Sequence, residues 1–113
     1  LASLQYALQR GIEAVLQVET QELASERIGA GDQRRLLFWE AAEGGAGVLG
    51  RLVDEPGALA RVAQAALDIC HLDTARGEER PGEAHACGRA CYRCLLSYSN
   101  QPDHPLLDRR LVY

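Results

Sequence analysis

Four cysteines, Cys70, Cys87, Cys91 and Cys94, make up the whole cysteine content of this 113-residue chain. The last three lie within eight residues of one another, separated as C-x3-C and C-x2-C. Short separations of this kind form the knuckles of structural zinc sites, in which each thiolate sulfur lies about 2.3 Å from the ion. The spacing therefore predicts a zinc site formed by the knuckle and completed by Cys70 as the distant fourth ligand.

Other chemistries fit the same residues. Two disulfides or four unrelated core thiols would suit the count, although a reducing compartment disfavours disulfides. The spacing of Cys87, Cys91 and Cys94 also matches radical SAM iron–sulfur enzymes, and four cysteines hold clusters in some helicases. Cys91 and Cys94 could instead be a dithiol redox pair, but no thioredoxin-like context surrounds them. His71 and His85 border cysteines and could replace a ligand.

A nucleic-acid contact is the second candidate function. Arg89 and Arg93 flank the knuckle and Tyr92 lies between its last two cysteines, a combination that can meet a phosphate backbone or stack on a base. Alternatively, these arginines pair with nearby glutamates. The net charge of −4 argues against a surface that binds nucleic acid throughout. Residues 70–113 hold six acids and six arginines, against ten and six in residues 1–69, so any phosphate contact is expected in the cysteine-rich half.

A glycine-rich segment follows the second predicted strand. Residues 45–50 match G-x-G-x-x-G, the pattern of dinucleotide-binding turns. The acidic residue expected at the end of a further strand about 20 positions later is missing, because Asp68 falls within a predicted helix. Gly44, Gly45 and Gly47 are therefore predicted to form a structural turn between a strand and a helix.

The segment of residues 104–110 carries a weaker signal. His104 and Asp108 lie four residues apart, as a catalytic pair could. Asp103 followed by Pro105 is also a helix-start signal, which favours a capping role. The sequence assigns no further role to this segment.

Hydrophobic periodicity predicts the elements that position these residues. Helical spacing predicts an N-terminal helix that stops near Gly11 and a later helix from Leu59 that places Cys70 on its buried stripe. Alternation predicts a half-buried strand over residues 14–23, and the apolar run 36–39 predicts a strand covered on both faces.

The second half of the chain is predicted to close the fold around the metal. Residues 71–86 lack apolar periodicity and are expected to form a solvated loop. Residues 91–98 and 106–112 are predicted to be helical. The resulting fold class is α+β, with a small sheet packed by about four helices and stapled by a four-cysteine zinc site.

Length and composition limit the class of protein. A chain of 113 residues suffices for one modest core, so residues 1–113 are expected to form one domain. Its apolar content of 47% includes no run long enough for a membrane span and no secretory leader, which predicts a cytoplasmic module. Because the chain contains no methionine, even at position 1, we expect it to be a piece of a larger protein.

The order of these motifs resembles a known family. Residues 43–47, the helix ending in Cys70, and the Cys-x3-Cys-Tyr-x-Cys-Leu segment of residues 87–95 are similar to the C-terminal zinc-binding domain of Mrf-type bacterial repair helicases and related DISARM phage-defence proteins. The resemblance covers most of the chain. It implies the same four metal-binding cysteines and the same glycine turn. In the short family form the first two cysteines lie close together, whereas 16 residues separate Cys70 from Cys87 here.

This resemblance implies a structural zinc-binding accessory domain of an ATP-dependent superfamily 2 DNA helicase in DNA repair or phage defence. The implied partners are the upstream motor domains, DNA reached through the parent protein, and subunits of a defence complex, with no membrane. The chain contains no P-loop motif, so this fragment is not expected to be an enzyme itself. The competing interpretations are a protein-interaction module of a defence complex and an iron–sulfur domain.

Overall fold

A computed structural model describes residues 1–41, 47–80 and 87–113. The α-helices in these ranges are α1 (Ala2–Leu16), α2 (Gly50–Asp54) and α3 (Ala58–Ile69), and the strands are β1 (Leu23–Ile28) and β2 (Arg35–Glu40). Short 3-10 helices span Thr20–Glu22, Gly31–Gln33, Tyr98–Leu106 and Arg109–Leu111. The predicted α+β class with a small sheet is confirmed. Among the described residues, none of the helices has both the length and the apolar content needed to cross a membrane.

Helix α1 continues past Gly11, where the sequence predicted its end. The reason is tertiary packing, because α1 lies against α3 and Gly11 is in close contact with it. A Cβ atom at Gly11 would lie 2.6 Å from the backbone oxygen of Val62. The strand predicted over residues 14–23 is wrong, because its first residues belong to α1. Leu16 is buried as the last residue of that helix.

Alanine at Gly11 tests this close packing. We expect Gly11→Ala to lower the free energy of unfolding by about 1–3 kcal/mol, the usual cost of overpacking. This loss should appear despite the gain of about 1 kcal/mol that alanine brings to a helix interior. Urea denaturation of the zinc-loaded protein measures it. Gly50→Ala is the control, because a Cβ there would meet no atom nearer than 3.9 Å, and equal stability of the two variants would contradict the packing argument.

The two strands pair antiparallel, in a register that runs from Leu23 opposite Glu40 to Ile28 opposite Arg35. The second predicted strand is confirmed by β2, but its prediction as a strand covered on both faces is wrong. Leu37 and Trp39 are 45% and 41% exposed, while the alternate residues point towards the protein. When helices pack against one side of a two-stranded sheet, only that face of the sheet is covered. Alternate residues of the apolar run therefore stay exposed.

The glycine turn lies partly outside the described residues, which exclude Gly44 and Gly45. Gly47 adopts a left-handed backbone with φ of 71°, and its carbonyl accepts a hydrogen bond from the Gly50 amide at 3.1 Å. This turn leads into α2, and its positive φ is one that glycine adopts without strain.

Helix α3 confirms the predicted second helix and places Cys70 as its C-terminal cap. Two groups of buried side chains flank the α1–α3 contact. One group contains Ile12, Leu16, Leu23 and Val62. The other surrounds three of the cysteines and includes Ala7, Ala66, Cys70, Leu72, Cys87, Cys94, Leu95 and Leu107. The cysteine-rich end of the domain is therefore also one of its hydrophobic centres.

The C-terminal part replaces the predicted helices with turns and 3-10 helices. Residues 92–95 form a turn rather than a helix. The helix start predicted at Asp103 is wrong, because Asp103 lies inside Tyr98–Leu106 and its carboxylate accepts hydrogen bonds from Tyr6 and Arg27. Asp108 is the cap here, since its carboxylate accepts a hydrogen bond from the Arg110 amide at the start of Arg109–Leu111. His104 has other partners, since its Nε2 lies 3.0 Å from the Ser97 carbonyl and 2.8 Å from Asn100 Oδ1.

Candidate metal centre

The end of α3 presents His71. The amide of Leu72 donates to the carbonyl of Leu67 at 3.0 Å, and the amide of His71 donates to that of Asp68 at 3.0 Å. This double closure is a Schellman motif, which requires a left-handed residue just after the cap. His71 occupies that position with φ of 64°, where glycine is usual. The chain reverses there, and burial of Leu72 fixes the reversal.

The knuckle presents the three remaining donors. Cys87 is followed by Gly88, which adopts a left-handed backbone with φ of 68°. The amide of Cys94 donates to the Cys91 carbonyl at 3.1 Å, which closes the turn. The Cys91 amide also donates to the Cys94 sulfur at 3.2 Å, a contact that favours a thiolate. Leu95 is fully buried and anchors the end of the turn in the core.

Four donor atoms converge, one each from His71, Cys87, Cys91 and Cys94, and all lie within 4.8 Å of one another. The Sγ of Cys94 lies 3.6 Å from that of Cys87 and 3.7 Å from that of Cys91. The Sγ of Cys91 lies 3.5 Å from His71 Nε2.

These distances match the edges of a zinc tetrahedron. Ligand bonds of about 2.3 Å to sulfur and about 2.0–2.1 Å to nitrogen put adjacent sulfurs about 3.8 Å apart and a sulfur–nitrogen pair about 3.6 Å apart. The sulfur separations of 3.6 and 3.7 Å are much longer than the roughly 2.05 Å of a disulfide bond. A four-iron cluster attaches its ligands to separate iron atoms and so spreads them further than one ion does. The donor set fits a single zinc ion.

Cys70 lies beside this set and not within it. Its side chain is fully buried in the hydrophobic group that also holds Cys87 and Cys94. The four donors that approach one another within 4.8 Å include its neighbour His71 instead. The structure thus brings three of the four predicted thiols together and supplies a histidine at the fourth corner.

The protonation of the thiols follows their surroundings. Burial, together with the nearby Cys94, raises the pKa of Cys70 to about 12. Burial also raises the pKa of Cys87 to about 12 and that of Cys94 above its ordinary value. Burial acts on Cys91 too, but hydrogen bonds from His71 and other neighbours outweigh it and lower the pKa of this thiol to about 7. Cys91 is therefore the thiol most readily ionised for an incoming metal.

Sequence reasoning gave His71 only as a possible replacement ligand. The signal is its position directly after Cys70, itself a predicted ligand. What the sequence did not give is the left-handed turn that carries the imidazole to the knuckle. His85, the other histidine that borders a cysteine, lies outside the described residues.

The predicted nucleic-acid contacts differ in their surroundings. Tyr92 is 62% exposed, and its ring meets that of His104 edge to face at 5.9 Å. Arg93 is exposed on the same turn. Arg89 lies 3.8 Å from the carboxylate of Asp108, so its charge is partly neutralised within the chain. The alternative of pairing with acidic residues thus holds for Arg89, although with an aspartate.

Comparison with known proteins gives one result. A family model described as the MrfA Zn-binding domain matches residues 4–95. No curated protein and no solved structure matches the chain.

Proposed function

The chain belongs to the MrfA Zn-binding domain family, with zinc as its cofactor, and we propose that it is a structural accessory domain of an ATP-dependent superfamily 2 DNA helicase. The parent protein would act in DNA repair or phage defence. The observation that carries this proposal is the His/Cys3 cluster, because its four donor atoms lie within 4.8 Å of one another and three of their separations match the edges of a zinc tetrahedron.

In this proposal His71, Cys87, Cys91 and Cys94 hold the zinc. His71 takes the fourth position instead of Cys70, because its Nε2 is 3.5 Å from the Cys91 sulfur. Cys70 then contributes to the core behind the site. Four protein ligands leave no coordination position for water, so the ion stabilises the fold and hydrolyses nothing.

The zinc would cross-link the end of α3 to the knuckle. His71 follows α3, whereas the cysteine ligands come from the knuckle, beyond the segment of residues 81–86. Cross-linking these two regions stabilises a small domain whose sheet has two strands. The free energy of zinc binding thereby becomes part of the free energy of folding.

The knuckle is also the proposed contact surface for DNA or for the motor domains. Tyr92 and Arg93 stand out from the turn and are exposed. An aromatic ring beside an arginine suits a single strand, since bases stack on the ring while the cation meets phosphate. Arg89 is the weaker candidate because it already faces Asp108. In this proposal the upstream motor domains supply the remaining DNA contacts.

Two measurements on the purified chain test the proposal. Metal analysis is expected to find one zinc per chain, and absorbance near 400 nm, typical of an iron–sulfur cluster, is expected to be absent. Fluorescence anisotropy at low salt then tests DNA contact with single-stranded and duplex oligonucleotides. Binding weaker than roughly 100 μM would be poor even for a non-specific contact. That result would reject direct DNA contact and favour a surface for other proteins.

Variants locate the DNA contact. We expect Arg93→Ala to weaken binding severalfold and to reduce the slope of log affinity against log salt by about 1, because one phosphate contact is lost. Arg35→Ala is the matched control, since Arg35 is an exposed arginine on β2 and not on the knuckle. Equal losses from the two variants would show that the knuckle is not the contact surface.

A further inference from the structure

The most deeply buried charge in the described residues belongs to Arg109, which is 1% exposed. It lies beyond residue 95, where the family match ends. Two contacts fix the chain just before it. Leu107 is buried in the hydrophobic group around the cysteines, and the Asp108 amide donates to Ser3 Oγ at 2.9 Å. The backbone that presents Arg109 is therefore anchored to α1 and to the core.

The Arg109 side chain bonds to both regions that carry the metal ligands. Its Nε donates to the carbonyl of Gly88 at 2.8 Å, and Gly88 directly follows Cys87. Its Nη1 donates to the carbonyl of Cys70 at 3.4 Å, and Cys70 directly precedes His71. Each acceptor is thus the peptide neighbour of a proposed zinc ligand.

Two further bonds reinforce this arrangement. The Arg109 amide donates to the carbonyl of Arg89 at 2.8 Å. Its Nη2 meets Glu79 Oε1 at 2.7 Å. Glu79 belongs to the arm that folds back on the α3 end, where the Arg80 amide donates to the His71 carbonyl at 2.9 Å.

We propose that Arg109 is a positioning residue of the zinc site, so that the segment after residue 95 is part of the metal-binding unit of this chain. This inference rests on the proposed ligand set. The planar guanidinium offers five donors in a fixed geometry, which lets one side chain hold acceptors on several segments at once. By fixing the carbonyls next to His71 and Cys87, it holds the two halves of the site in register in the folded domain.

Outer-shell partners of metal ligands typically change metal affinity by about 10–100-fold when they are replaced. We expect a loss in this range for Arg109→Met, measured as the zinc dissociation constant by competition with a chromophoric chelator. Arg109→Lys keeps the charge but reaches fewer acceptors, so a smaller loss is expected. If circular dichroism shows that Arg109→Met does not fold, the zinc affinity of Arg109→Lys tests the proposal instead. Zinc affinity of folded Arg109→Lys equal to that of the unchanged chain would overturn the proposal.

Arg27→Met separates positioning from general stability. Arg27 also ties the C-terminal part to the rest of the domain, donating to Gln5 Oε1 at 2.8 Å and to Asp103 Oδ1 at 2.9 Å. Its partners are not neighbours of the proposed ligands. We expect Arg27→Met to lower thermal stability while zinc affinity stays within about threefold of the unchanged chain, well inside the effect expected at Arg109. Equal losses of affinity at Arg27 and Arg109 would reduce Arg109 to a structural role.

The same titrations distinguish the two proposals. If the unchanged chain binds no zinc, the proposed function fails and the inference about Arg109 fails with it. If the unchanged chain binds one zinc and the Arg109 variants bind it equally well, only the inference about Arg109 is wrong.

Discussion

Cys94→Ala is expected to abolish stoichiometric zinc binding and to leave the domain largely unfolded. Cys94 is central to the donor set, since its sulfur lies within 3.7 Å of both other cysteine sulfurs. Structural zinc contributes roughly 10–16 kcal/mol of apparent binding free energy in small zinc domains. Domains of this size have only about 5–15 kcal/mol of net stability. Losing the ion therefore outweighs any contact that the hydrophobic groups retain.

The matched control is Cys70→Ala. Both thiols are fully buried in the same hydrophobic group, so the two substitutions remove the same atom from similar surroundings. Under the proposed ligand set, Cys70→Ala costs only the lost packing, about 1–2 kcal/mol, and leaves one zinc per chain. Circular dichroism melts and metal analysis of the two variants measure the difference. A folded Cys94→Ala protein with an unchanged melt would contradict a structural zinc.

His71→Asn is expected to weaken zinc binding by more than the roughly 100-fold that an outer-shell substitution can cost. Asparagine tolerates the left-handed backbone that His71 adopts, with φ of 64°. The substitution therefore removes the imidazole without adding backbone strain. Chelator competition measures the zinc affinity. Cobalt substitution measures the ligand set, because the sulfur-to-cobalt charge-transfer absorption rises with the number of thiolates.

The control for this prediction is His104→Asn. The imidazole of His104 bonds to Ser97 and Asn100 and is not one of the converging donors. We expect its zinc affinity to equal that of the unchanged chain. In the unchanged chain the cobalt absorption should correspond to three thiolates and should be the same in Cys70→Ala. An absorption corresponding to four thiolates that falls in Cys70→Ala would instead make Cys70 the fourth ligand.

Acid is expected to release the zinc because its ligands are groups that take up protons. Zinc binds thiolates and neutral imidazole, so protons compete with it at every ligand. Burial raises the pKa of Cys87 to about 12 and that of Cys94 above its usual range, which makes these two thiols costly to ionise without the ion. The lowered pKa of Cys91 favours it as the first ligand to bind.

The sequence by itself determined the features that depend on residues close together in the chain, namely the cysteine spacing and helix α3. The C-x3-C and C-x2-C spacing indicated zinc because ligand separations in a knuckle are set by a few backbone torsions. The apolar periodicity from Leu59 to Cys70 predicted α3 almost to the residue, although Leu59 itself is exposed, since an amphipathic helix depends on its own periodicity. The family resemblance rested on the same segments, and the family match confirms it.

Only the tertiary structure decided the features that depend on contacts between distant segments. Gly11 stays inside α1 because Val62 of α3 approaches it, a contact that no local pattern contains. Residues 92–95 form a turn because backbone amides bond within the donor cluster. The Cys94 amide donates to the Cys91 carbonyl and the Cys91 amide donates to the Cys94 sulfur, so no helix continues there.

The fourth corner of the zinc site was decided in the same way. Cys70 and His71 are adjacent in sequence, and both carry suitable donors. Cys70 stays in the core because it continues the buried face of α3 after Val62 and Ala66, whereas the left-handed turn at the next residue brings the His71 imidazole to the knuckle. One backbone torsion, fixed by the burial of Leu72 and the Schellman closure, thus separates the two residues that sequence alone could not.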